Sequence, residues 1–413
     1  MKSDSPRPGC AVVTFGCRLN LVESDAMRRG AAAAGLEGAV LVNTCAVTGE
    51  SVRQARQAIR RIARDKPGAR IIVSGCAVET DRATFAAMPE VAALLPNALK
   101  TDPAAWRALP GATGSTTPAP APPVLASESG TRAFLAVQNG CDHRCTFCVI
   151  PFGRGPSRSR PAERVVEAAQ ALVATGRREI VLTGVDLTSW GADLPGRPTL
   201  GALVRQILRA APALARLRLS SLDCIEAGDD LLRALAEEER FAPHLHLSLQ
   251  AGDDLTLKRM RRRHTRADAI AFCAAARRLR PDLVLGADFI CGFPTETETM
   301  FESTLRLVDE CGLTHLHVFP FSPRPGVPAA RMPQTPRPVA RERAERLRRL
   351  GALRLSAHLA AQIGKTVTVL VERGETGHAA DFTRVATPGV APGALVDRRI
   401  VGSAGDMLMS EPA

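Results

Sequence analysis

The first eighty residues repeat one unit three times, and this repetition restricts the fold more than any other feature of the sequence. Each unit is a short apolar run, a tight turn that carries a cysteine, and then a helical stretch. The apolar runs and turns occupy residues 11–17, 39–45 and 70–76. Alternation of strands with helices is typical of a parallel sheet, because parallel neighbours need a crossover connection. We therefore predict an α/β fold that begins with a parallel α/β domain.

The cysteines that end these three units form what we call the amino-terminal cysteine set: Cys17, Cys45 and Cys76. In a parallel sheet the carboxyl ends of all strands point to one edge, which is where ligands bind. The three cysteines are far apart in sequence but should meet at that edge and form a site with three thiolates. The alternative is that each cysteine is a small buried residue, which is common for free thiols.

A second group, the loop cysteine set, lies within one short segment with CxxxCxxC spacing: Cys141, Cys145 and Cys148. A closed structural zinc site takes four protein ligands, and an iron–sulfur cluster used only for electron transfer takes four cysteines. Three thiolates therefore leave one metal position open to a substrate or cofactor. A zinc knuckle and a chance grouping of cysteines are the alternatives.

The middle of the chain continues the alternation of apolar runs and helical stretches, with runs at 134–138, 179–183, 216–221, 244–249, 283–290 and 315–319. Six such units predict a partial (βα)6 barrel, whose chemistry lies at the carboxyl ends of the strands. The loop cysteine set directly follows the first strand. The other strand ends carry candidate cofactor-binding residues, for which ordinary turn chemistry is the alternative: Gly184, Ser221, Gln250 and Gly292.

These patterns divide the chain, which is too long for one ordinary core, into four segments. The amino-terminal domain covers residues 1–110, a linker rich in Pro, Thr and Gly covers 111–131, and the barrel covers 132–362. Residues 363–413 alternate like strands at 366–371 and are then punctuated by glycines. We therefore predict a small OB-like β-barrel at the carboxyl end.

Composition and charge restrict the location and the partners. No apolar run could cross a bilayer and the first residues lack a signal-peptide core, so we expect a cytoplasmic protein without a membrane partner. There the eleven cysteines would be metal ligands or buried thiols rather than disulfides. The chain has 54 basic and 42 acidic residues, a formal net charge of +12, which suits a polyanion such as RNA. Because the basic residues are mostly arginine, genomic base composition is an alternative source of part of the excess.

Four residues are candidates for contact with RNA. Arg154, Arg158 and Arg160 follow the loop cysteine set and are predicted to contact RNA or to line a cofactor pocket. Phe382 is the one aromatic residue after position 362 on which a base could stack. An RNA-binding barrel and a plain capping barrel therefore both stay open for the last segment.

Sequence motifs connect the whole chain to a known family. They are Gly-Cys-Arg-Leu-Asn at 16–20, Asn-Thr-Cys-Ala-Val-Thr at 43–48, Ser-Gly-Cys at 74–76, the run 140–148, Ile-Pro-Phe-Gly-Arg-Gly at 150–155, Ser-Arg-Ser-Arg at 157–160, Leu-Thr-Gly-Val at 182–185, His-Leu-Ser-Leu-Gln at 246–250 and Gly-Phe-Pro-Thr-Glu-Thr at 292–297. Through them the chain resembles the methylthiotransferase branch of the radical S-adenosylmethionine (SAM) enzymes. The motifs near 182–185 and 244–250 resemble the subgroup that modifies threonylcarbamoyl-adenosine beside the tRNA anticodon.

The resemblance implies an enzyme with two 4Fe-4S clusters. The loop cysteine set would ligate a cluster whose open iron binds SAM, and Phe147 would pack on the adenine of SAM. The amino-terminal cysteine set would ligate an auxiliary cluster that carries or supplies sulfur. One SAM would methylate that sulfur, and a second would yield a 5'-deoxyadenosyl radical that abstracts hydrogen from carbon 2 of the target adenine. The methylthio group would then be transferred to that carbon.

The resemblance further implies a tRNA substrate, a low-potential electron donor such as flavodoxin or ferredoxin, and a carboxy-terminal barrel of the TRAM type. We expect a monomer. Two other functions stay open. One is a sister methylthiotransferase for isopentenyl-adenosine in tRNA or for an aspartate of a ribosomal protein. The other is a non-catalytic iron–sulfur protein that binds RNA.

The sequence departs from the family pattern at two positions. Position 224 carries cysteine where the family pairs an acidic residue with proline, and position 291 carries cysteine where an aliphatic residue is usual. The cysteines outside the two sets are expected to be small core residues: Cys10, Cys224, Cys273, Cys291 and Cys311.

Overall fold

The structure is a computed structural model that describes residues 10–114, 125–127 and 130–413. Residues 1–9, where a signal peptide is not expected, and residues 115–124 and 128–129 of the expected linker lie outside the described residues. The chain divides into two compact units. The first comprises Met1–Glu128, Phe134–Arg158 and Ser322–Ala330, and the second comprises Ser129–Ala133, Ser159–Phe321 and Arg331–Ala413.

The described elements up to residue 159 alternate between strands and helices in the predicted order. They are β1 (Ala11–Thr14), α1 (Arg18–Ala33), β2 (Val40–Thr44), α2 (Gly49–Asp65), β3 (Ile71–Gly75), α3 (Cys76–Thr80), α4 (Arg82–Ala86), β4 (Ala93–Leu94), α5 (Pro103–Arg107), β5 (Arg132–Ala136), β6 (Gln138–Asn139), α6 (Ile150–Arg154) and β7 (Arg158–Ser159).

The first unit is built on a four-stranded sheet of order β1-β2-β3-β4, in which every neighbouring pair is parallel. All residues of β2 and β3 are buried, as expected for strands covered by helices on both faces. Val42 and Val73 pack with α2 on one face, and Leu41 and Ile72 pack with α1 and α5 on the other. The predicted parallel α/β domain is confirmed.

The first residues of the expected linker pack on this domain. The backbone N–H groups of Thr113 and Gly114 both donate to the carbonyl of Ala34, each at 3.0 Å. A side chain at position 114 would lie 2.2 Å from the carbonyl oxygen of Ala33, so the segment approaches the end of α1 more closely than any residue with a Cβ could.

The second unit contains the remaining strands and helices. They are α7 (Ala162–Ala174), β8 (Glu179–Thr183), α8 (Leu200–Ala210), β9 (Arg216–Leu219), β10 (Ser221–Leu222), α9 (Asp229–Glu237), β11 (His244–Gln250), α10 (Asp254–Met260), α11 (Arg266–Leu279), β12 (Val284–Cys291), α12 (Glu298–Glu310), β13 (His315–Pro320), α13 (Arg337–Ala360), β14 (Thr366–Val371), β15 (Thr376–Ala379), β16 (Arg384–Ala386), β17 (Leu395–Ala404) and β18 (Met407–Pro412). One short 3₁₀ turn, Leu187–Ser189, lies in this unit, and another, Pro328–Arg331, has its first three residues in the first unit.

The strands of the second unit up to β13 pair in parallel. Strand β8 pairs with β9, and β10, β11, β12 and β13 form a sheet in that order. Helices separate most consecutive strands, as the predicted βα units require. After α13, strands β14-β15-β16-β18-β17 close into a barrel, which confirms the small carboxy-terminal β-barrel.

Buried charges attach this small barrel to the amino ends of β8 and β9. Glu179 begins β8, and its carboxylate lies 3.0 Å from the guanidinium of Arg218. Arg216, which begins β9, donates to the carbonyls of His378 at 3.0 Å and of Thr368. Because active sites of such parallel folds lie at the carboxyl ends of the strands, the small barrel lies at the opposite edge.

Among the described residues, no helix combines the length and the apolar character that spanning a bilayer requires. The cysteines outside the two sets are all buried, as predicted: Cys10, Cys224, Cys273, Cys291 and Cys311.

Candidate functional site

The structure brings the amino-terminal cysteine set together at the carboxyl edge of the first sheet. Cys17 is the N-cap of α1, Cys45 directly follows β2, and Cys76 begins α3. The turns that carry them touch. A Cβ on Gly16 would lie 2.8 Å from the sulfur of Cys45, and Gly16 has φ +93°, which favours glycine. The thiols of Cys17 and Cys76 both act electrostatically on the thiol of Cys45, so the three sulfur atoms lie near one another.

Two members of this set are shielded from water. Cys45 and Cys76 are buried, whereas Cys17 is exposed. Burial raises the pKa of the Cys45 thiol to about 11 and also raises the pKa of Cys76, because the thiolate form loses its hydration. The positive charges of Arg154 and Lys100 act in the opposite direction on Cys76.

Those two cations belong to a buried group that we call the charge network: Glu23, Lys100 and Arg154. Glu23 accepts from Arg154 through both carboxylate oxygens, at 2.9 and 3.0 Å, and lies 2.7 Å from Nζ of Lys100. Burial alone would raise the pKa of Glu23, but the two cations outweigh it and hold the pKa at about 2. Asn20 joins the network by accepting from Arg154 at 2.6 Å.

This geometry corrects the predicted role of Arg154. Its side chain is 1% exposed and is occupied by Glu23, Asn20 and Asn139. A guanidinium buried in this way does not reach a phosphate of bound RNA. The sequence motif at 150–155 contains this arginine but does not predict the direction of its side chain.

The loop cysteine set lies in the same unit. Gly140 precedes it with φ +76°, and a Cβ there would overlap the carbonyl of Pro156, so the turn into the loop requires glycine. The N–H of Cys141 donates to the carbonyl of Gly155 at 3.1 Å, and that of Cys148 donates to Cys145 at 3.1 Å. These bonds shape a short loop in which all three thiols are partly exposed.

Helix α6 connects the two cysteine sets. It begins two residues after Cys148, and its residue Gly153 lies against Cys76, because a Cβ on Gly153 would be 3.1 Å from Cys76 Cβ. Asn97 joins the same contact by donating to the carbonyl of Gly153 at 2.6 Å. The two sets are therefore neighbours within one unit.

The donor atoms of both sets suit an iron–sulfur cluster. Each set offers three sulfur ligands, and N–H groups lie beside two of the sulfurs. The backbone N–H of Ile150 is 3.4 Å from the sulfur of Cys148, and Nδ2 of Asn97 is 3.9 Å from the sulfur of Cys76. Hydrogen bonds to ligating sulfurs are one of the means by which proteins adjust cluster potentials.

The residues predicted to bind the cofactor fall in both units. Phe147 is half-buried within the cysteine loop. Gly184 directly follows β8, Ser221 begins β10, and Gln250 ends β11 with φ +70°. All three belong to the second unit. Gly184 and Gln250 lie at the carboxyl ends of their strands, whereas Ser221 follows the end of β9 by two residues and begins β10.

Gly292 also lies at a strand end, after β12, but the reason for glycine differs from the expected close approach to a ligand. It has φ +70°, and a Cβ there would lie 2.3 Å from Cβ of Ala340. The position therefore requires glycine because helix α13 packs directly on it.

The residues predicted to contact RNA separate into two groups. Arg158 and Arg160 are exposed. Phe382 is instead held inside the second unit, where its ring stacks on His244 and His378 at centroid distances of 4.9 and 4.8 Å. The guanidinium groups of Arg132 and Arg218 also lie over the ring. The structure thus corrects the predicted stacking role, because protein side chains already occupy the faces of Phe382.

An aromatic face is available at Phe152 in α6, which is 60% exposed. The sequence pattern predicts no role for this residue, although it lies in the motif at 150–155. Its neighbour Gly153 contacts Cys76, so this exposed ring lies next to the cysteine sites of the first unit.

A polar group lies on the adjacent strands β11, β12 and β13 of the second unit. His246 Nε2 and His317 Nδ1 approach the same oxygen of Asp288, at 2.9 and 3.2 Å. Burial opposes ionisation of Asp288, but hydrogen bonds and positive charge from the two imidazoles hold its pKa well below the usual range. The three side chains form a hydrogen-bonded triad.

Two family models match the chain. The model of the radical SAM superfamily matches residues 135–308, and that of the "Uncharacterized protein family UPF0004" matches residues 9–96. The first contains the loop cysteine set, and the second contains the amino-terminal set.

Curated relatives match along almost the entire chain. "Threonylcarbamoyladenosine tRNA methylthiotransferase MtaB" of Rickettsia prowazekii is 44% identical over 91% of this chain and 90% of its own length. "tRNA-2-methylthio-N(6)-dimethylallyladenosine synthase" of Novosphingobium aromaticivorans is 38% identical over 88% of this chain and 86% of its own length.

Solved structures agree on the fold. The radical SAM methyltransferase TsrM of Kitasatospora setae aligns with a TM-score of 0.52 at 18% identity, over 71% of this chain and 64% of that chain. The relatives that are 44% and 38% identical match this chain over nearly their full length. This chain therefore belongs to the radical SAM tRNA methylthiotransferase family.

Proposed function

We propose that this enzyme transfers a methylthio group to carbon 2 of threonylcarbamoyl-adenosine next to the tRNA anticodon, using SAM and two 4Fe-4S clusters. The observation that carries the proposal is the contact through α6 between two separate sets of three cysteines. A single cluster would need only one such set. The relative from Rickettsia prowazekii, which is named for threonylcarbamoyladenosine, supports the choice of nucleoside.

The two sets hold different clusters in this proposal. Cys141, Cys145 and Cys148 would hold the cluster that binds SAM, and the amino-terminal set would hold the auxiliary cluster. When bound, the first cluster with SAM supplies the radical that removes hydrogen from carbon 2, and the second supplies the sulfur. A low-potential donor such as flavodoxin or ferredoxin delivers the electrons.

The remaining residues bind and orient in this proposal. Phe147 packs on the adenine of SAM. Gly184, Ser221 and Gln250 also bind SAM. Gly292 packs on α13, and this packing positions the backbone that follows β12. The exposed Arg158 and Arg160 contact the phosphates of tRNA.

The burial of Cys45 and Cys76 has a chemical consequence. It keeps water from two of the three auxiliary ligands. A sulfur site that must survive between two reactions benefits from this shielding, because water-exposed clusters lose iron more readily to competing ligands and oxidants.

Iron content and product analysis test the two-cluster proposal. Anaerobically reconstituted protein should carry about 8 iron atoms, and replacing the loop set by alanine should remove about half. Replacing the amino-terminal set should also remove about half but leave reductive cleavage of SAM to 5'-deoxyadenosine, with no methylthio product. Methylthio product from that variant, or zinc in place of iron, would contradict the proposal.

Nucleoside analysis of tRNA from a deletion strain tests the substrate. Loss of the methylthio form of threonylcarbamoyl-adenosine is expected, with the isopentenyl-adenosine derivative unchanged. The reverse result would identify a sister tRNA enzyme, which the 38% identical relative makes the nearest alternative. Unchanged tRNA with an altered ribosomal protein would contradict both. The non-catalytic alternative is set aside, because the chain belongs to a family of enzymes.

A further inference from the structure

The charge network of the first unit is not electrically balanced. Arg154 and Lys100 contribute two positive charges and Glu23 contributes one negative charge, which leaves a net charge of one positive. The side chains of Arg154, Lys100 and Glu23 are 1%, 0% and 4% exposed. An uncompensated charge in such a buried place is strongly unfavourable, so an anionic partner is expected beside it.

The surroundings identify where that partner lies. Asn20, which accepts from Arg154, is three residues after Cys17 and donates to the carbonyl of Thr44 at 3.1 Å, directly before Cys45. Gly153, adjacent to Arg154, lies against Cys76. The network is thus attached to the turns that carry all three cysteines of the amino-terminal set.

An oxidised four-iron cluster together with its three thiolate ligands would carry a net charge of about −1. This charge would balance the charge network. Three neutral thiols would leave the positive charge without a counter-ion. On the basis of the proposed auxiliary cluster, we propose that Arg154, Lys100 and Glu23 form its built-in counter-charge. They are positioning residues that favour the loaded state and set the reduction potential of this one cluster.

The inference predicts shifts of opposite sign from two nearly isosteric changes. The parent is the full-length chain with Cys141, Cys145 and Cys148 replaced by alanine, so that only the auxiliary cluster remains. Lys100→Met removes one positive charge and should lower the midpoint potential. Glu23→Gln removes the negative charge and should raise it, because a more positive environment favours the added electron.

The measurement is an anaerobic redox titration followed by electron paramagnetic resonance, with iron content determined on the same samples. Lys100→Arg, which keeps the charge, should restore the parent potential. A matched control is Glu179→Gln in the second unit, where the carboxylate is equally buried and paired with Arg218. It should leave the potential unchanged.

The outcomes separate this inference from the proposed function. Potentials that do not move, or that move in the same direction in Lys100→Met and Glu23→Gln, overturn the inference while the two-cluster proposal stands. Equal loss of iron from both variants and from Lys100→Arg shows a purely structural role and also overturns it. A parent chain that holds no iron overturns the proposed auxiliary cluster itself.

Discussion

Gly153 lies directly against Cys76, so close that a methyl group at position 153 would be 3.1 Å from Cys76 Cβ. Gly153 belongs to a five-residue helix that starts two residues after Cys148. The contact therefore joins the segment that follows the loop cysteine set to a residue of the amino-terminal set. In the proposed reaction, the radical and the sulfur must meet at one carbon atom, and this contact fixes the spacing of the two cysteine sets within the first unit.

Gly153→Ala should disturb the spacing without removing a ligand. Because the added methyl forces its neighbours to move by a few tenths of an ångström, we expect cleavage of SAM to 5'-deoxyadenosine to persist and methylthio product to fall several-fold. Both products can be measured in one reaction. Gly402→Ala, where a Cβ meets no atom within 4 Å, is the control. Equal losses of both products would argue against a role in spacing.

Phe152 should contribute to binding of the tRNA. Its ring is 60% exposed, and stacking of a base on an aromatic side chain contributes about 1–3 kcal/mol. We expect Phe152→Ala to weaken tRNA binding by about tenfold in an anaerobic titration, and Phe152→Tyr to retain it. Equal affinities of the alanine and tyrosine variants would show that the ring does not stack.

The parallel sheets were predictable because their signal is local. Runs of β-branched residues followed by helical stretches mark β1, β2 and β3, and the rule that parallel strands end at one edge brings Cys17, Cys45 and Cys76 together. The loop cysteine set was predictable for a similar reason, since its ligands lie within eight residues of one another.

The charge network was not predictable, because it depends on tertiary contacts between distant residues. Lys100 lies in an irregular segment without a motif, yet its side chain is completely buried beside Glu23. The position of Arg154 after the loop cysteine set predicts a contact with RNA or a cofactor pocket, whereas its actual partner Glu23 lies 131 residues earlier in the sequence. Phe382 is predicted to stack on RNA because it is the one aromatic residue after position 362, and the sequence does not show its contacts with His244 and His378.

Arg158 and Arg160 should account for part of the salt dependence of tRNA binding. Each phosphate contact that is lost reduces the slope of log affinity against log salt by about 0.7–0.9, because fewer counterions are released. We expect the double alanine variant to lose roughly twice that amount. Arg164→Ala is the control, because Arg164 is exposed but already paired with Glu167 at 3.0 Å. An unchanged slope in the double variant would exclude phosphate contacts.

Phe382→Ala should destabilise the second unit rather than weaken RNA recognition. Loss of the stacked ring removes contacts with His244 and His378 and should lower the free energy of unfolding by about 3 kcal/mol. Urea unfolding measures this loss, and Phe319→Ala, at a ring that is 44% exposed, should have a smaller effect. Loss of tRNA affinity at unchanged stability would restore the stacking role.

His315 should make stability depend on pH between about 6.5 and 4. Burial and the nearby His358 lower its pKa to about 4 in the folded protein, against a usual value near 6.5, although Asp381 acts in the opposite direction. Between these values the unfolded chain binds the proton more readily, so stability is fully present above pH 6.5 and is lost as pH falls towards 4. Glu23 and Asp288 stay ionised in this range, because their pKa values are lowered.

At pH 5.5 this proton should lower the free energy of unfolding by about 1.4 kcal/mol relative to pH 7.5. Because Nε2 of His315 has no hydrogen-bond partner among the described residues, His315→Leu removes the titration without breaking a hydrogen bond at that atom. Urea unfolding at both pH values should therefore show a smaller pH effect in the variant than in the parent. An equal pH effect in both proteins would assign the dependence to other groups.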